Sequence, residues 1–108
     1  MHRVNVKPLS VNEAYRGRRF KTKEKMQYDR DVSIQLPRMK VPSGNLEVHY
    51  RFGVSSKGGD CDNLIKSFQD CLSSNYGFND NKIMKLTAEK VYVPKGNEYI
   101  EFEIVPCG

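Results

Sequence analysis

Leu46-Glu-Val-His-Tyr-Arg-Phe-Gly-Val54 and, six residues on, Asp60-Cys-Asp-Asn-Leu-Ile-Lys-Ser-Phe-Gln-Asp-Cys-Leu-Ser-Ser74 decide the fold between them. In the first stretch Leu46, Val48, Tyr50, Phe52 and Val54 alternate with Glu47, His49, Arg51 and Gly53. A period of two predicts a strand, here over 45–54, with one buried and one polar face. From Asp62 to Ser74 the period becomes helical. Leu64, Phe68, Cys71 and Leu72 share one face, and Asp62, Lys66 and Asp70 share the other. Asp62 or Asn63 is the expected N-cap. Ser55 to Gly59 reads as a flexible turn between strand and helix.

Working outward, Met1–Lys7 alternates weakly through Val4 and Val6 and reads as a first strand, closed by Pro8. Ser10 to Lys21 reads as an extended, polar, basic loop with Gly17 among its arginines. Thr22 to Leu36 is predicted helical: Tyr28, Val32 and Leu36 recur at four-residue steps, Thr22 suits the N-cap, and Pro37 stops the helix. Pro42-Ser-Gly-Asn45 is a turn, and 75–81 is a loop holding Gly77 and Asp80. Two more strands are expected over 83–93 and 98–105, joined by Pro94-Lys-Gly-Asn97 as a hairpin turn. The order β-α-β-α-β-β gives an α/β (α+β) fold, one mixed sheet of about four strands with two helices on one side.

The 108 residues suffice for one domain with one core, and residues 1–108 are read as one. Apolar content of 38% with 29% charged residues fits a folded chain, not a disordered one. No apolar run nears the ~20 residues that span a bilayer. The N-terminus lacks the apolar core of a signal peptide, so no membrane association is expected. A cytoplasmic protein, encoded by a cell or by a phage or prophage within it, is the expectation. Cys61, Cys71 and Cys107 are odd in number and lack C-x-x-C spacing, so reduced thiols are expected.

The net charge of +5 is local. Residues 1–25 carry Arg3, Lys7, Arg16, Arg18, Arg19, Lys21, Lys23 and Lys25 against Glu13 and Glu24, which is +6, and the remainder carries −1. Such a patch suits a polyanion, most commonly nucleic acid, although a solvated basic loop gives the same composition.

Asp60 and Asp62, one residue apart, repel each other unless a cation sits between them. A divalent metal with oxygen ligands is one candidate, and the start of a helix favours carboxylates and phosphate alike. Lys66 lies one helical turn beyond Asp62 on the same face. Asp80 follows the helix, and the order helix, loop, strand allows it to return toward the pair. Together these four suggest metal-dependent phosphate chemistry. The alternative is structural: turn and N-cap aspartates, with Lys66 in an ion pair with Asp62 or Asp70. A calcium loop counted from Asp60 fails, because Ile65 and Cys71 occupy its glycine and glutamate positions. His2 and His49 have no partner spacing.

Asp60-Cys-Asp62-Asn63-Leu64-x-Lys66, then Asp70-x-Leu72, then Asn79-Asp80-x-x-Ile83, resembles the RusA family of Holliday junction resolvases, whose pattern is D-x-D-N-x-x-K, D-x-L, D-D-x-x-[VI]. Pro8-x-Ser10-x-Asn12-x-x-Tyr15 is similar to that family's P-x-S-x-N-x-x-Y. The family has two adjacent aspartates where this chain has Asn79-Asp80. Asp80 aligns with the second at the cost of one residue of loop.

The resemblance implies a Mg²⁺-dependent endodeoxyribonuclease, with Mn²⁺ as a substitute, that resolves four-way junctions as a homodimer. It implies Asp60, Asp62 and Asp80 as metal ligands and Lys66 as the catalytic lysine. Asn12, Tyr15 and the basic residues Arg16, Arg18, Arg19, Lys21 and Lys23 would lie on DNA. A non-catalytic nucleic-acid-binding module and another metal-dependent nuclease are the competing readings.

Overall fold

In the computed structural model the described residues are 1–16, 20–57 and 60–107, with Arg16 described by its backbone alone. The elements are β1 (His2–Val4), α1 (Val11–Ala14), β2 (Tyr15–Arg16), β3 (Phe20–Lys21), α2 (Lys23–Gln35), β4 (Leu46–Val54), α3 (Cys61–Tyr76), a 3₁₀ turn (Asp80–Lys82), β5 (Ile83–Tyr92) and β6 (Tyr99–Pro106). Four strands form one mixed sheet in the order β1-β6-β4-β5, with β4 parallel to β5 and antiparallel to β6. β2 and β3 make a separate small hairpin. The α+β class read from the sequence is the observed one.

The alternating stretch behaves as its period requires. Leu46, Val48, Tyr50, Phe52 and Val54 are buried, and Glu47, His49 and Arg51 are only half-buried on the opposite face. The apolar faces of α2 and α3 cover the buried side. Phe68 of α3 is fully enclosed and meets Tyr50 edge-on at 5.8 Å and Phe102 at 5.5 Å between centroids. Removing such a ring typically costs about 3–5 kcal/mol. The open side of the sheet carries charge: Arg51 bridges Glu89 and Glu101, and Arg3 reaches Glu101 and lies 4.0 Å over the Tyr99 ring.

The prediction for 22–36 holds closely. Thr22 caps α2 by accepting from the Lys25 amide, and the helix ends before Pro37. Elsewhere the structure differs. β1 stops at Val4 because Gln35 engages both backbone groups of Asn5, accepting from its N–H at 2.8 Å and donating to its carbonyl at 3.2 Å. Residues 10–16 and 20–21 are not an extended loop, and 17–19, with Gly17, lie outside the described residues. Ser10 accepts from the Glu13 amide and caps the short α1, after which Tyr15 pairs with Lys21 and Arg16 with Phe20. α3 begins earlier than expected: Asp60, not Asp62 or Asn63, holds the N-cap position, so Asp62 falls in the first turn. Its far end is set by Gly77, whose φ of 71° supplies the left-handed residue that closes the helix.

The expected hairpin between the last two strands is not formed. Asn97 N–H does donate to the Pro94 carbonyl at 3.0 Å, but β4 lies between β5 and β6. The connection passes over the end of β4, held by Val93 N–H to the Val54 carbonyl and by the Ser55 hydroxyl to Glu98. At Gly53 the Tyr99 ring of β6 lies directly against the β4 backbone, and a Cβ there would collide with it.

Candidate active site

The loop after β4 delivers the chain to the start of α3, and this sets where the acids stand. Asp60 has extended backbone angles and its carbonyl accepts from Asn63 and Leu64, so the helix begins on its backbone. Its side chain makes no capping bond. Asp60 and Asp62 are exposed, and neither carboxylate has a hydrogen bond or ion pair among the described residues. Lys66 is exposed one turn along, and it pairs with neither Asp62 nor Asp70 among the described residues. Lys90 of β5 stands close by. Burial raises the pKa of the Cys61 thiol, the Lys90 charge opposes that rise and the Asp62 charge adds to it.

Asp80 is not beside this pair. α3 has 16 residues and is therefore about 24 Å long. Asp60 is at its start, and Asp80 comes after its end, in the 3₁₀ turn that leads into β5. The strand register pairs Ile83 with Leu46, and burial raises the Tyr50 hydroxyl pKa, with the charges of Asp70 and Asp80 raising it further. Asp80 thus stands near the Leu46 end of β4 and the far end of α3. Among the described residues no three Asp, Glu, His or Cys side chains gather as a metal site would require. The pair Asp60–Asp62 still suits Mg²⁺, which characteristically uses one or two carboxylates, waters and substrate phosphate.

The basic segment is a built structure. Thr22 ties the base of the β2–β3 hairpin to α1, donating its hydroxyl to the carbonyls of Glu13 (2.8 Å) and Ala14 (3.2 Å). Asn12 is exposed on α1, Tyr15 is half-buried on β2, and Lys21 and Lys23 are exposed. Phe20, at the hairpin, is 74% exposed. Arg18, Arg19 and the side chain of Arg16 lie outside the described residues.

Beneath the hairpin lies a group that the sequence reading did not single out. Asp29 accepts from Lys25 at 2.6 Å, from the Cys71 thiol at 3.2 Å and from Lys21 at 3.4 Å. It joins β3, α2 and α3. Burial pushes its carboxyl pKa up, but the hydrogen bonds from Lys25 and Cys71 and the charges of Lys25 and Lys21 outweigh that and hold it below the ordinary value. The Cys71 thiol, buried and facing this carboxylate, is pushed up to about 12. The four-residue spacing of Lys25 and Asp29 was visible in the sequence; the burial of Lys25 was not.

The acid pair stands at the start of α3 with a lysine one turn on, and the basic segment leads through β2 and β3 into α2. The model of the family Endodeoxyribonuclease RusA matches residues 6–104. The chain belongs to this family. No curated protein matches it. Membership makes it an endodeoxyribonuclease, a hydrolase of DNA, in a family that acts on branched four-way junctions. The match takes in every candidate residue named above, from Asn12 to Asp80. No helix among the described residues is long and apolar enough to cross a membrane.

Proposed function

We propose that this RusA-family protein resolves Holliday junctions as a Mg²⁺-dependent homodimer, each active site using Asp60, Asp62 and Lys66 of one protomer and Asp80 of the other. One observation carries the reading: Asp60–Asp62 and Asp80 flank opposite ends of β5, and β5 is an edge of the sheet. β5 is ten residues long, and Met84, Leu86 and Tyr92 along it are exposed. A long, exposed edge strand offers unpaired backbone groups to another strand. Two-fold pairing is isologous, so antiparallel β5 strands would set the Ile83 end of one copy against the Tyr92 end of the other. Asp80 of each copy would then approach the Asp60–Asp62 pair of its partner.

A Mg²⁺ ion held there would supply Lewis-acid stabilisation of the phosphate and a water of lowered pKa. The remaining tasks fall to the chain. Asp60 and Asp62 would hold the ion, and the amides of the first turn of α3 would face the phosphate. The Lys66 ammonium would meet charge developing on the phosphoryl oxygens. Asn12, Tyr15, Arg16, Arg18, Arg19, Lys21 and Lys23 would bind backbone phosphates without reading sequence. Two sites related by a dyad would nick two strands of a four-way junction symmetrically.

The test is cleavage of a synthetic four-way junction with and without Mg²⁺, beside a linear duplex of the same sequence. Paired nicks on the junction alone, only with Mg²⁺, are expected. Junction binding with no cut in Mg²⁺ or Mn²⁺ overturns the catalytic reading, and equal cutting of the duplex overturns the selectivity for junctions.

A further inference from the structure

Between α2 and α3, under the hairpin, lies a cavity of about 280 Å³, near the lower end of the range for small-molecule sites. Tyr15 and Lys21 line its hairpin side, and Lys25, Asp29, Asp70 and Asn75 its helical walls. It is built around a buried charge. The Lys25 side chain is only 3% exposed, with one N–H donated to Asp29 and the ammonium 5.3 Å from the Tyr28 ring centroid. Both N–H groups of Asn75 are spent, on Ser33 Oγ and the Cys71 carbonyl, which leaves its Oδ1 as an acceptor. Asp70 adds a carboxylate with no hydrogen bond or ion pair among the described residues.

The charges decide what kind of ligand fits. Lys21 and Lys25 are balanced by Asp29 and Asp70, so a phosphate entering would meet two carboxylates. The cavity suits a neutral polar group that offers both donors and acceptors. In DNA that group is the base, whose π-face also suits an aromatic wall. Position agrees with this. Asp70 lies eight residues beyond Asp62 on α3, about 12 Å, which is within four nucleotide steps of roughly 3.4 Å.

Resting on the DNA reading above, we propose that this cavity receives one unstacked nucleobase of the junction, close to the strand that is cut. Unstacking costs least where pairing is already broken, and a branch point provides such a place.

The experiment uses four-way junctions carrying a single 2-aminopurine, moved one nucleotide at a time outward from the branch point, bound in EDTA so that nothing is cut. The expected result is a several-fold fluorescence change at one position and its symmetry mate only. Ser74→Phe, at an exposed position on the α3 wall, should abolish that change and weaken junction binding about ten-fold, the scale of losing one stacked base. Ser33→Phe, from the α2 wall, should give the same block independently, with folding of both variants checked by circular dichroism. A bound junction whose fluorescence changes at no position, or a change that both variants leave intact, overturns the proposal. Wild-type protein that binds no junction overturns the DNA reading and this proposal with it.

Discussion

Two Lys/Asp pairs stand at the same spacing on neighbouring helices and behave in opposite ways. On α2, Lys25 precedes Asp29 by four residues and the pair is closed at 2.6 Å. On α3, Asp62 precedes Lys66 by four residues and no pair forms. Helix propensity favours the second arrangement, with the acid nearer the N-terminus. Burial reverses the outcome. The Lys25 side chain is enclosed and must have a counter-charge, whereas an exposed pair gains only about 0.3–0.5 kcal/mol. Asp29 is therefore part of what holds the helices and hairpin together. Asp60, Asp62 and Lys66 are left with their charges available to a partner.

The contrast breaks most visibly if an open acid is neutralised. Asp60→Asn or Asp62→Asn should lower the single-turnover rate of junction cutting by on the order of 10⁴-fold, as for loss of one member of a catalytic unit. Melting temperature should not move, because neither carboxylate supports the fold. Asp80→Asn should be equally inactive, and a mixture then tests the shared site. In a heterodimer of Asp60→Asn with Asp80→Asn, one site carries both lesions and the other carries neither. Recovery of nicking on one strand is expected, and a mixture as dead as its parents would show that Asp80 serves its own protomer. Lys66→Ala should slow cutting by roughly 10²–10³-fold with junction affinity little changed.

The closed pair should give the opposite pattern. Asp29→Asn leaves Lys25 buried beside a neutral amide and should cost about 2 kcal/mol, roughly 10 °C in melting temperature for a chain of this size. The folded pKa of Asp29 is depressed, so its contribution is present above the ordinary carboxylate value of 3.8 and is lost as pH falls through the lower, folded value. The gap in melting temperature between wild type and Asp29→Asn should thus be steady near neutrality and close only in that acid range. A gap that closes near pH 6 would assign the effect to another group.

What the sequence made legible is what local periodicity controls. The alternation over β4, the apolar face of α3 and the Thr22 cap with its Pro37 stop all stand where the pattern put them. The insertion of β4 between β5 and β6 was not legible, because turn chemistry at Pro94–Asn97 fixes a reversal but not which strand fills the space. Ser10-x-x-Glu13 was a readable cap signal inside a segment that its charge made look like loop. The candidate acids were legible as residue types in a spaced motif, but spacing along a chain has no direction in space. Only the length of α3, fixed by Gly77, separates Asp80 from Asp60.

The smallest effect separates cations in the same way as acids. Lys21 is engaged by Asp29, whereas Lys23, two residues on, has no ion pair among the described residues. If the open charges are those that meet DNA, Lys23→Ala should lower the slope of log affinity against log salt by about one, without altering melting temperature. Lys21→Ala should change that slope less, because its charge is already partly met within the fold. Junction-binding titrations across a salt series read both slopes directly. Equal slopes for the two variants would mean that DNA draws Lys21 away from Asp29, and the closed network would then open on binding.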